Sequence, residues 1–93
     1  NRWLTVIQIG PAAFGTGTHA VREALEAENV EARPVWKPMH LQPVFQGAKL
    51  WQAAGAAVSE RLFARGLCLP SGTAMTDGDL DRVCGIVRRM AGR

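Results

Sequence analysis

Tyrosine is absent from this 93-residue chain, and aromatic residues make up only 6% of it. No run of lysine and arginine exceeds two residues, and the net charge is a mild +3. Proteins that bind nucleic acid concentrate cations on one face, often with aromatic rings on which bases stack. The scattered charge and the few rings argue against a nucleic-acid partner. No apolar run approaches the roughly 20 residues that span a bilayer, so no membrane partner is expected either. Histidine and cysteine occur twice each. His19, His40, Cys68 and Cys84 show none of the paired spacing of a zinc site, and no metal is expected. Both cysteines sit in apolar surroundings, where a free thiol behaves as a small hydrophobe. With no stretch that reads as a signal peptide, a reducing, cytoplasmic setting is the expectation.

Catalytic groups are scarce as well. The only lysines are Lys37 and Lys49. Ser59 and Ser71 have no G-x-S-x-G elbow around them. Glu23, Glu26, Glu28 and Glu31 read as solvated charges on a helix and a strand edge. The residues by themselves therefore define no catalytic constellation, and the chain reads as an accessory or half-site domain.

What is present is enough for one core. A chain of this length buries about 60–70% of its unfolded surface, and 47% of its residues are apolar. Trp3–Ile9 is rich in β-branched and aromatic residues, apolar on both faces, and reads as a central strand. It begins almost at once after Asn1, which suggests a piece of a longer protein. Gly10-Pro11 ends it, and a loop is expected to Gly17. Thr18 is a plausible cap for a helix to about Glu28, with Val21, Ala24 and Leu25 on one face. Asn29 suits the left-handed closing position. Val30–Trp36 is extended, and Pro34 marks an edge. Gly47–Gly55 reads as irregular. A second helix is expected over Ala56–Arg65 with Val58 and Leu62 buried and Gly66 closing it. Leu67–Leu69 makes a small strand. Thr76 and Asp79 form a capping box for the last helix, whose stripe is Leu80, Val83, Cys84, Val87 and Met90. This order predicts an α+β or split β-α-β domain with a three-stranded sheet.

Gly15-Thr16-Gly17-Thr18-His19-Ala20 matches G-x-G-x-x-A between a strand and a helix. Gly10 to Phe14 intervene, however, and the chain is too short for a doubly wound sheet. It reads as a plain loop and helix start, with His19 solvated in the first turn. Trp36, Phe45 and Trp51 could form a ligand shelf, but aromatics this near a sheet read first as core. From Pro34 to Phe45, three prolines restrict themselves and the residues before them. That predicts a stiff, extended path holding Lys37, Met39 and His40 in place.

Two segments carry a family resemblance. Asn29–Phe45, with Trp36-Lys37-Pro38-Met39-His40-Leu41-Gln42-Pro43, and Glu60–Gly72, with Arg65-Gly66-Leu67-Cys68-Leu69-Pro70, resemble the carboxy-terminal domain of the DegT/DnrJ/StrS sugar aminotransferases. Asn1–Thr5 and Thr76–Leu80 fit the same family. The resemblance implies the small domain of a fold-type I transferase: a small three-stranded, mainly antiparallel sheet with helices packed on it. It implies a homodimeric, pyridoxal-phosphate-dependent enzyme that moves an amino group from glutamate to a nucleotide-linked keto sugar, for surface glycans. In that family the Schiff-base lysine and most of the cofactor's seat belong to a large domain, whose motifs match nothing here. Residues 1–93 are thus expected to be the small domain alone, with no catalytic or cofactor-binding residue of its own. The loop matching Trp36–His40 borders the family's substrate cleft, which makes His40 and Lys37 candidate sugar-nucleotide contacts. The competing expectations are a free-standing regulatory module that binds a small molecule, and an interaction domain that dimerises through exposed apolar surface.

Overall fold

In the computed structural model, which describes residues 3–53 and 57–92, the short run after Gly66 forms the middle of the sheet. Strands β1 (Thr5–Gln8), β2 (Arg33–Pro34) and β3 (Gly66–Leu69) lie in the order β1-β3-β2, antiparallel throughout. Thr5 faces Leu69 and Gln8 faces Gly66, while Arg33 faces Cys68 on the other side of β3. The expected central strand is therefore an edge. Its apolar residues do point to two faces, but only Ile7 and Ile9 reach the core, and Val6 remains exposed. Alternation along a strand fixes which residues share a face, not which face is covered.

One face carries the core. Ile9, Leu67, Val30 and Ala32 pack with Val21 and Leu25 of α2 (Thr18–Ala27) and with Val83 and Ile86 of α4 (Asp77–Arg89). Ala24, Val87 and Met90 pack partly against them, but Leu80 is exposed. The expected loop after β1 contains one helical turn, α1 (Pro11–Phe14). Proline's fixed φ suits the first helical position, and Gly15 closes the turn with φ of 98°. Gly17 caps α2 in place of Thr18. Thr18 is already helical, and its hydroxyl donates to the Ala64 carbonyl at 3.2 Å. Asn29 takes the expected left-handed conformation, with φ of 58°.

Helix α4 is tied to the end of α2. Arg89 pairs with the Glu28 carboxylate at 2.8 Å, and the Arg82 guanidinium donates to the Glu28 carbonyl. At its start the capping box is formed: Asp79 N–H donates to Thr76 Oγ1 at 3.1 Å, and Thr76 N–H donates to Asp79 Oδ2 at 2.9 Å. The Thr76 backbone N–H, then its hydroxyl, then Arg82 hold the Asp79 carboxyl below its ordinary pKa of 3.8. A depressed carboxyl stabilises the fold above the unfolded pKa, and that contribution disappears as pH falls through the folded value. Thr76→Ala should cost about 1 kcal/mol in urea unfolding near neutrality. The gap to the parent protein should narrow once pH drops below 3.8.

Two further elements depart from expectation. Helix α3 (Val58–Arg65) buries none of its residues, and Val58 and Leu62 are exposed; the expected start at Ala56 lies outside the described residues, as do Asn1 and Arg2 of the opening motif. Gly66 is extended, with φ of −84°, and begins β3 instead of closing the helix in the left-handed region. The proline path is also less extended than expected. After Pro38 it coils into two 3-10 turns, Met39–Leu41 and Pro43–Phe45. Proline opens the second of these, where its missing N–H costs nothing.

Candidate functional site

The sheet's second face is bordered at one end by α3 (Val58–Arg65), where Ser59 and Leu62 lie beside Val6, Gln8 and Gly66. Across this face runs an open groove of about 980 Å3, lined among others by Trp3, Leu4, Arg33, Trp36 and Cys68. Val6 and Cys68, paired across β1 and β3, point to this side, opposite to Ile7 and Leu67. The Trp3 and Trp36 rings lie 5.8 Å apart, tilted by 48°. They remain 68% and 66% exposed, so neither is a core residue. Trp51 and Phe45 are exposed as well, and the expected aromatic core does not form. Arg33, the groove's cation, is held by Glu31, with Nη2 2.6 Å from its carboxylate oxygen. The Ser71 hydroxyl donates to the Trp3 carbonyl at 2.9 Å and fixes the strand's entrance.

Trp36 ends this groove and begins the Lys37–Phe45 path. Pro38 is buried and anchors it. The Gln42 side-chain amide donates to the Lys37 carbonyl at 3.1 Å and braces the first 3-10 turn. Lys37 is exposed. The His40 side chain is only 20% exposed, and its Nε2 lies 3.5 Å from Glu60 Oε1 on α3. Nε2 is shielded from solvent and makes no hydrogen bond. His40 and Lys37 thus share one braced segment, but neither lines the groove. Sequence reasoning missed Trp3 and Arg33 as groove residues and Glu60 as the neighbour of His40. Glu60 had a usable signal: it lies in the segment that carries the family resemblance.

The remaining sequence candidates have plain roles. His19 is exposed and sits 3.2 Å from Glu23, one turn on. Gly15–Ala20 is the end of one helical turn and the start of α2, beside an antiparallel sheet. Among the described residues, no group of three or more His, Cys, Asp or Glu side chains could hold a metal ion, and no helix is long and apolar enough to cross a membrane.

The three-stranded antiparallel sheet with its helices is matched in solved aminotransferase structures. The crystal structure of DesI in the presence of its TDP-sugar product superposes with a TM-score of 0.78 at 36% identity, over 97% of this chain and 22% of that one. The chain belongs to the DegT/DnrJ/EryC1/StrS aminotransferase family, whose pattern it matches over residues 1–88. It is 43% identical over 84 residues to the "Putative pyridoxal phosphate-dependent aminotransferase EpsN" of Bacillus subtilis (strain 168), and 28% identical over 81 residues to the GDP-perosamine synthase of Caulobacter vibrioides. These matches cover 89% and 87% of this chain but 21% of each relative. The chain therefore spans about a fifth of the length of the proteins it resembles.

Proposed function

We propose that these residues form the carboxy-terminal small domain of a pyridoxal-phosphate-dependent aminotransferase. The enzyme exchanges the amino group of glutamate for the keto group of a nucleotide-linked sugar, in the synthesis of a surface polysaccharide or glycan. The observation that carries this reading is the family match along nearly the whole chain, in the stretch that includes Lys37 and His40. Relatives whose names specify GDP-perosamine and a TDP-sugar support the substrate class. The working enzyme is a cytoplasmic homodimer.

Pyridoxal phosphate supplies the electron sink that transamination needs. The residues described here do not fit its seat. Lys37 and Lys49 are both exposed and neither lines the groove, and the groove's Arg33 is already paired with Glu31. No chemical step is assigned to this chain. Its part is to present the braced Lys37–His40 segment to the sugar nucleotide, Lys37 as a cation toward phosphate oxygens and His40 toward the sugar.

The full-length polypeptide carrying this chain, supplied with pyridoxal phosphate, should release 2-oxoglutarate from glutamate when given UDP-, GDP- or TDP-linked keto sugars. Turnover of simple 2-oxo acids with silence across every sugar nucleotide would refute the substrate class.

A further inference from the structure

We infer that Glu60 is a positioning residue for His40, and that it selects which ring nitrogen meets the substrate. This rests on the reading above, in which His40 faces the sugar nucleotide. The two residues come from different elements, the 3-10 turn Met39–Leu41 and helix α3. The structure brings Nε2 to 3.5 Å from the Glu60 carboxylate and hides that nitrogen from solvent. A shielded ring nitrogen with no hydrogen bond is costly, and the Glu60 oxygen is the acceptor within reach.

A carboxylate accepts and does not donate. A neutral imidazole beside it therefore carries its proton on Nε2, and Nδ1 is left as an acceptor. An acceptor nitrogen matches a sugar hydroxyl, which can donate to it. It repels a phosphate oxygen, which has no proton to give at neutral pH. The pair thus assigns the sugar to His40 and leaves the phosphates to cations such as Lys37. The surrounding segment supports this role. Buried Pro38 and the Gln42 bond to the Lys37 carbonyl brace the turn itself, so the Glu60 contact orients a ring on a backbone already shaped.

Two measurements test the assignment. The first is the 15N spectrum of the histidine-labelled full-length enzyme, with His40→Gln assigning the resonance. Neutral His40 should be the Nε2–H tautomer and should become a mixture in Glu60→Ala. An Nδ1–H tautomer, or an Nε2–H tautomer that survives Glu60→Ala, overturns the positioning role whatever the enzyme's substrate. The second is steady-state kinetics of the full-length enzyme. Glu60→Ala should raise KM for the nucleotide sugar about tenfold, the worth of one misdirected hydrogen bond, with kcat within about twofold. Glu60→Gln should restore most of it, because its carbonyl oxygen still accepts from Nε2. If the tautomer depends on Glu60 but neither His40→Gln nor Glu60→Ala moves KM, Glu60 still orients the ring, and what fails is the claim that the oriented nitrogen meets the substrate.

Discussion

Leu67→Ala should destabilise the domain by about 2–5 kcal/mol in urea unfolding. Leu67 is 1% exposed and sits on the middle strand, opposite Ile7 on one side and Pro34 on the other. It belongs to the cluster formed with Val21, Leu25, Val83 and Ile86 from both covering helices. Truncation leaves a hole that two strands and two helices would all have to move to fill, and close-packed interiors collapse only in part. A domain of this size has a total stability of about 5–15 kcal/mol, so the loss takes a large share of it. Leu80→Ala is the matched control. Leu80 lies on α4 but is exposed, and its truncation should cost no more than about 0.5 kcal/mol. Equal losses from the two substitutions would mean that the core is not where the structure places it.

Gly66→Ala should be nearly as damaging, through crowding instead of a void. A Cβ at this position would lie 2.5 Å from the Leu62 carbonyl oxygen and 2.7 Å from Val35 Cγ1. Val35 can rotate away, but the Leu62 carbonyl cannot. It belongs to the last turn of α3 and accepts the Gly66 N–H. The backbone of Gly66 is ordinary extended chain, so this glycine is required for the close approach of helix to strand and not for its φ. Overpacking of this kind costs about 1–3 kcal/mol. Gly10→Ala, where nothing lies within 4 Å of the added carbon, should change the unfolding midpoint little. A Gly66→Ala protein as stable as the Gly10→Ala protein would show that α3 is free to shift.

The elements that sequence reveals here are those governed by neighbours a few residues away. The Thr76/Asp79 box, the Val83-Val87-Met90 stripe and the left-handed Asn29 are all local, and all are present. Positions decided by distant residues were not legible. Trp3–Ile9 has the composition of an inner strand but lies at an edge, because β3 pairs on both of its sides. Val58 and Leu62 follow the helical period of buried residues, yet stay exposed. The period shows that they share a face, and says nothing of whether anything covers it. The three prolines correctly marked a constrained segment. The coiling of 39–45 is not legible in the sequence, because proline is as compatible with a 3-10 turn as with extended chain. For the candidate site, sequence supplied His40 and Lys37 through resemblance. The contact with Glu60, twenty positions away, depends on how α3 is set down.

The pairing order also constrains how the chain acquires its shape. The first and second strands are not neighbours in the sheet; each pairs with residues of 66–69. While residues 66–69 are not yet in place, the two outer ribbons have no partner in the sheet. Closing the span from Thr5 to Leu69 carries an entropic charge that short helical turns do not. The sheet should accordingly appear late and all at once, after α2 has wound. Protection of amide hydrogens in β1 and β2 should rise together with that of β3 in a refolding experiment, and ahead of it in none.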